Sequence, residues 1–438
     1  MRAVLFLTTT CASLAIIAAC ASSEEQTPQA DAPPPSPPPA TTPDADAAVD
    51  SSAPVPDASL PKCSDAGWCI TAFPDADLVF RDVWPLEDRA FAIAESASEG
   101  VKVLEWLPSS DTWQYIDDQT QNETGIGTFA GRIYAPNANE VYFTVGPAYV
   151  YWGKRPSAEA PWSWTRSELP DHVVGHPLSH EHGNPNYAVA AEKRVTLGVW
   201  GSGTEDVYAW YSNAIFRRDA SDRTWSTVYV AENLEAPTEH IFFTAVDGTG
   251  PDDVWFVGAR DRGLFHCPLA VRKSAAGWER FADGIVQNNP VAPCRNRPGT
   301  MLLGDTGGGW LTDIHRSSAT EYLALHDAVQ RGGFKNGELM RVHVEDAGYS
   351  FTSSVVPVRT AKALLANSTI RSMWRWENEN WFSSWGLVLR GTDDGDYEIS
   401  SISRDGAPVD VSIVRIRGTS KQNIWAIGAR HAYHKTTP

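Results

Sequence analysis

The residues best suited to chemistry in this sequence are histidines. Four of the eleven fall in one stretch, at His172, His176, His180 and His182. Neutral imidazoles ligate zinc or copper, and a loop gathering three or four of them would hold one ion. Gly175 and Pro177 rule out a helix presenting them at regular spacing, and the H-E-x-x-H order is absent. A zinc- or copper-binding loop is one expectation, and a solvated His-rich loop is the plain alternative. Carboxylates are numerous, but a glycosidase needs two at a defined separation. Glu140, Asp206 and Asp253 sit at turns, where accepting backbone N–H groups is their expected role. Gly307-Gly308-Gly309-Trp310 lacks the Lys-Ser or Lys-Thr of a phosphate loop and reads as a tight turn before a strand. Ser179, Ser212 and Ser384 lie outside any G-x-S-x-G frame, so no catalytic residue is nominated. Recognition chemistry is offered by Trp374, Trp376, Trp381 and Trp385, which with Arg375 suit a face that binds protein or sugar. Packing between sheets is the competing role for these four indoles.

The cysteines divide by position. The chain opens with one positive charge at Arg2, an apolar stretch and small residues leading to Cys20, the pattern of a secretory signal peptide. Ile17-Ala18-Ala19-Cys20 resembles the bacterial lipobox, which implies cleavage before Cys20 and a lipid on its thiol. Two or three acyl chains bind a membrane far more firmly than one. Ala21 follows where an inner-membrane retention signal would place Asp, so an outer-membrane lipoprotein facing the periplasm or the cell surface is expected. Residues 20–61 are rich in Ala, Pro, Ser, Thr and Asp with almost no large apolar side chain, so they are expected to form a disordered stalk. With Cys11 lost in the signal, Cys63, Cys69, Cys267 and Cys294 remain, an even number in an oxidising compartment. Of three pairings, Cys63 with Cys69 and Cys267 with Cys294 close the shorter loops. A zinc site from all four lacks paired C-x2-C spacing.

The elements that would position these residues show in the repeats. Val199-Trp200-Gly201-Ser202-Gly203, then Asp206-Val207-Tyr208-Ala209-Trp210, recurs as Val246-Asp247-Gly248-Thr249-Gly250, then Asp253-Val254-Trp255-Phe256-Val257. It returns as Ile416-Arg417-Gly418-Thr419-Ser420, then Asn423-Ile424-Trp425. Weaker copies put the aromatic anchors of seven units at Phe91, Tyr142, Tyr208, Trp255, Tyr322, Phe382 and Trp425. Each unit reads as a short apolar strand, a Gly/Ser/Asp turn, an alternating second strand, a third, and a Trp-marked fourth. Four antiparallel strands repeated around an axis make an all-β propeller, here of seven blades over residues 62–438. The last unit stops after three strands at Ala432-Tyr433-His434-Lys435, while Gly67-Trp68-Cys69-Ile70 looks like a fourth strand without a unit. Joining the two closes the ring with strands from both ends.

The G-S-G-x-x-D-V-Y segment at Gly201–Tyr208, its Trp counterpart at Gly248–Trp255, the lipobox, the Pro-rich stalk and Gly67-Trp68-Cys69 together resemble uncharacterised propeller-repeat lipoproteins of myxobacterial type. That resemblance covers most of the chain after Lys62 and implies a fold and an address, with no catalytic residues to carry over. Ile215-Phe216-Arg217-Arg218-Asp219 is similar to a tectonin-type propeller repeat. The formal charge of −18 leaves about −12 on the propeller once the signal and the seven stalk acids are set aside, which argues against nucleic acid as a partner. The expectation is a lipid-anchored, non-enzymatic propeller that binds protein or glycan in the cell envelope. A hydrolase or lyase acting on polysaccharide and a metal-binding lipoprotein are the alternatives.

Overall fold

The computed structural model describes residues 62–437 apart from 128, 171–196, 232–238, 263–264, 290, 305–307, 330–334, 347, 357–369, 394–396 and 405–406. Cys20, the signal, the stalk and the four-histidine stretch lie outside the described residues. What is described is a seven-bladed propeller of four-stranded antiparallel sheets. Blades 1 to 6 are consecutive in the chain. Their innermost strands are Val79–Pro85, Ala130–Asn137, Leu197–Gly201, His240–Gly250, Gly309–Arg316 and Ser372–Trp376. Blade 7 has Ile413–Ser420 innermost, then Asn423–Gly428 and His431–Lys435, and its outer strand is Trp68–Ile70 from the start of the domain. Trp68 pairs with Lys435 and Ile70 with Tyr433, so the expected closure between both ends is the one observed.

Both expected disulfides are formed. Cys63–Cys69 holds the hairpin that leads into the closing strand. Cys267–Cys294 joins the third strand of blade 4 to a small hairpin, Gly284–Val286 with Cys294–Asn296, ahead of blade 5.

The aromatic periodicity has one mechanical meaning. On the second strand of each blade an anchor side chain is buried against the next blade, where the aromatic of that blade's outer strand receives it. Trp425 meets Trp113 at 5.1 Å, Tyr208 meets Trp278 at 6.5 Å, Trp255 meets Tyr349 at 5.9 Å and Trp381 meets Trp68 at 6.1 Å. Edge contacts of this kind add about 0.5–1.5 kcal/mol each beyond the area they bury. Two anchors expected from sequence are shifted by one residue. In blade 5 the residue facing forward is Leu323, packed with Met373 and Phe382 of blade 6, while Tyr322 turns back onto Trp255 of blade 4. In blade 6 the forward anchor is Trp381, and Phe382 faces back towards Leu323 and Leu325. Side chains alternate faces along a strand, so a slip of one residue moves an anchor to the wrong interface. In these two units an aromatic occupies the neighbouring position, which hides the register.

His434 is built into the closing blade. Its ring stacks on Trp425 at 4.2 Å with the planes 8° apart, and Nε2 lies 2.9 Å from the Asn423 side-chain oxygen. Burial pushes its pKa down from 6.5 to about 4, with Asp111 opposing. The unfolded chain therefore takes up this proton at a higher pH than the folded one. The stabilisation is complete above about pH 6.5 and is lost as pH falls towards 4, at about 1.4 kcal/mol per unit. Thermal unfolding across that window should show a falling midpoint in the wild type and a flatter profile in His434→Gln; identical slopes would show that His434 is not the titrating group.

Candidate functional site

The inner and second strands meet at one end of the channel, and there the repeat varies. In each blade one inner-strand residue pairs directly with the anchor: Trp84 with Phe91, Tyr134 with Tyr142, Trp200 with Tyr208, Asp247 with Trp255, His315 with Leu323, Trp374 with Trp381 and Arg417 with Trp425. Six of these seven line a funnel of about 660 Å³, counting the part open to solvent, at the channel mouth. Tyr134 stands behind Trp84, its ring 4.8 Å away at 84°.

The glycine after this ring position is required first by the paired strand, since a Cβ at Gly201, Gly248 or Gly418 would lie 2.7, 2.3 or 2.7 Å from the backbone oxygen of Asp206, Asp253 or Asn423. Gly201 and Gly418 each follow a ring residue, and each accommodates the ring residue of the blade before. A Cβ at Gly201 would lie 2.7 Å from the Tyr134 ring, and one at Gly418 2.8 Å from the Trp374 ring. These glycines give way to an incoming aromatic, as a bulkier side chain could not.

In six of the seven blades an acid or amide stands two residues before the anchor, and directly opposite the anchor, on the third strand, usually a cation. Arg272 reaches Asp253 at 3.4 Å and lies 4.9 Å over Trp255; Arg390 reaches Glu379 at 2.8 Å and lies 5.4 Å over Trp381. Arg217 does the same with Asp206 and Tyr208. Blade 5 keeps the ions, Glu321 and Arg341, around Leu323, and blade 1 reverses their order as Arg89 and Glu105 around Phe91. The turn carboxylates thus act differently from expectation. Asp253 accepts from Trp255 Nε1 at 2.9 Å and from the Tyr322 hydroxyl at 2.6 Å, and Glu140 accepts from the Tyr142 hydroxyl and Trp152 Nε1. Their partners are side chains that lock anchors in place, and a carboxylate so engaged offers no catalytic pair.

Below the mouth the throat is ionic. Asp82, fully buried, accepts the Ile133 N–H at 3.1 Å and has Arg415 Nε at 3.2 Å, with Arg132 and Arg417 each at 3.8 Å. Arg415 reaches across to Asp313 at 2.9 Å, and Asp313 also accepts from Ser372 Oγ and the Met373 N–H. Burial lowers the Arg132 pKa, with Asp82 opposing. Each of Asp82, Arg132, Asp313, Ser372 and Arg415 stands two residues before a ring position, on the same side of its strand. An ionisable residue inside a run such as Val79-Phe80-Arg81-Asp82-Val83-Trp84 is the sequence signal that could have found them.

Of the four tryptophans singled out from sequence, Trp374, Trp376 and Trp381 pack in one cluster and Trp385 stands apart. Trp374 lines the mouth and stacks with Trp376 at 6.2 Å, whereas Trp381 is core between blades 6 and 7. Trp385 sits in the turn at the far end of blade 6, 53% exposed and bonded through Nε1 to Asp410 at 2.8 Å. They form no common face.

The indoles at the mouth present little of their ring faces. Trp200 is 5% exposed and Trp374 6%, and the Arg417 guanidinium covers Trp84 at 4.8 Å. Among the polar groups, Asp247 accepts the Arg316 N–H at 2.7 Å and the Gly248 N–H at 2.9 Å. Burial raises its pKa, with His315 beside it opposing. Among the described residues no group of histidine, cysteine and acidic side chains is arranged to hold a metal.

No protein-family model matches the sequence, and no curated protein matches it. Solved structures do. YCF48 bound to D1 peptide aligns over 87% of this chain and 98% of its own, with a TM-score of 0.52 at 11% identity. YCF48 from Cyanidioschyzon merolae covers 85% and 99%, with a TM-score of 0.52 at 13% identity. A chain from the COPII outer coat vertex on membranes covers 82% and 83%, with a TM-score of 0.50 at 8% identity. At such identities the likeness is one of fold, the β-propeller.

Proposed function

We propose that this chain is a non-enzymatic envelope lipoprotein, tethered through Cys20, whose propeller binds an exposed segment of a protein at the channel mouth. The observation that carries the reading is the ring. At one register position the repeat abandons its consensus and presents Trp84, Trp200, Asp247, His315, Trp374 and Arg417 to one funnel, while the layer below is closed by paired ions. Variable side chains on a rigid frame are how repeat folds make binding surfaces. Protein is favoured over glycan because sugar rings pack on open indole faces, and those at the mouth are covered. YCF48, of similar fold, has been solved with a peptide bound.

Affinity capture from an envelope fraction, run beside a glycan array, tests this. Wild type should retain specific proteins that a Trp200→Ala, Trp374→Ala double variant loses by tenfold or more, about 1.4 kcal/mol, while Trp385→Ala at the far end keeps them. Equal capture by the mouth variant would move binding elsewhere on the propeller. A second reading, a hydrolase or lyase of polysaccharide, draws on Asp247 and His315 standing together with Arg417 at the mouth; turnover of an arrayed sugar would establish it in place of the first.

A further inference from the structure

The charged residues that line the funnel, Asp313 from the throat among them, are unequally provided for. Arg417 lies over Trp84 and is 3.8 Å from Asp82. Asp313 is engaged by Arg415, Ser372 and the Met373 N–H. Asp247 differs: its two oxygens take the backbone N–H groups of Arg316 and Gly248, and among the described residues it has no ion pair. Those two hydrogen bonds, one from its own strand and one from the next blade, fix the carboxylate at the funnel wall. Burial holds its pKa above the usual carboxyl range, with His315 and Arg417, which share the funnel, and the two N–H groups opposing.

Asp247 stands among apolar groups and one imidazole. Trp200 of blade 3 and Val246 lie to one side along the ring; on the other stands His315, with Ile314 and, a blade further on, Trp374, all lining the same funnel. A fixed acid at the base of an apolar wall is complementary to a side chain with a long hydrocarbon stem and a cationic head. An acidic side chain would face Asp247 directly, and a purely apolar one would leave the carboxylate without a counter-charge.

Resting on the reading of the mouth as the binding site, we infer that it accepts a basic side chain, Lys or Arg, from an exposed segment of a protein partner. The cation sits on the Asp247 carboxylate and the stem lies along the funnel wall, against the exposed margins of Trp200, Val246, Ile314 and Trp374. The net acidity of the chain would favour approach of such a segment.

The test uses the purified full chain and fluorescein-labelled eight-residue peptides of Gly and Ser with one central Lys, Arg, norleucine or Glu, titrated to millimolar concentration. The Lys and Arg peptides should bind about tenfold or more tightly than the norleucine peptide, and the Glu peptide most weakly. Asp247→Asn should erase that preference, and because its amide nitrogen cannot accept the second of the two N–H groups, its thermal midpoint should fall modestly without unfolding the chain. If Asp247→Asn does not fold, added salt on the wild type takes its place: it should weaken the Lys peptide and spare the norleucine one. Norleucine or Glu binding as tight as Lys, or a preference that survives in Asp247→Asn, overturns the inference. A protein captured from the envelope that depends on Trp200 and Trp374 but is indifferent to Asp247→Asn overturns it while leaving the mouth as the binding site. Absence of binding by every peptide, together with capture indifferent to the mouth tryptophans, overturns both. A glycan that competes at the mouth would put sugar in place of the basic side chain.

Discussion

Asp82→Ala should cost the propeller about 3–5 kcal/mol, the range for breaking a buried ion pair from one side. Asp82 is fully buried in the channel throat, where its Oδ1 stands within 4 Å of Arg132, Arg415 and Arg417, while Oδ2 accepts the Ile133 N–H. Removing it takes away the carboxylate that Arg132, Arg415 and Arg417 share, leaves Asp313 paired with Arg415, and strands an N–H on the next blade. The loss should be partly recovered by Arg415→Met on the same background, because the second change lowers the excess of positive charge in the throat. Denaturant unfolding of the two single variants and the double variant measures this as a coupling energy. A loss below about 1 kcal/mol for Asp82→Ala, or strict additivity with Arg415→Met, would mean that water reaches the throat and screens the cluster.

Trp255→Ala should be of similar size, about 3–5 kcal/mol, for a different reason. The side chain is wholly buried between blades 4 and 5, stacked on Tyr322 at 4.2 Å and edge-on to Phe281 at 5.1 Å and Tyr349 at 5.9 Å. Truncation leaves a cavity the size of an indole at an interface whose backbone is held by a closed ring, so collapse cannot fill it. It also takes away one donor to Asp253, which keeps Tyr322 and Thr249. Trp385→Ala is the control: exposed in a turn at the far end of blade 6, it should change stability by no more than about 0.5 kcal/mol. Similar losses in the two variants would contradict the division of tryptophans into interface anchors and surface residues.

That division shows where local pattern stops being informative. In blades 3, 4 and 7 the anchor is the first aromatic after Asp206-Val207, Asp253-Val254 or Asn423-Ile424, and its face is fixed by its distance from the turn. In blades 5 and 6 the pairs Tyr322-Leu323 and Trp381-Phe382 are both large and apolar. Only the ions around the anchor position, Glu321 with Arg341 and Glu379 with Arg390, settle which member points forward. The histidine stretch and Cys20 lie outside the described residues, and the metal-binding and anchoring roles expected of them remain proposals.

By itself the sequence determined what depends on short-range order. Seven units, their four-strand make-up, the closing of the ring by Trp68–Ile70 and the pairing of cysteines all follow from periodicity within a unit or from short loops. Only the tertiary structure decided what the units hold in common at the centre. The mouth is assembled from single residues in separate blades, and Asp247 or His315 in its own strand looks like any polar residue near a turn. The throat is likewise a set of isolated charges in apolar strands until the ring brings Asp82, Arg415 and Asp313 together. The reason is geometric: inner strands distant in sequence converge on one axis, so the chemistry at that axis is written one residue per blade.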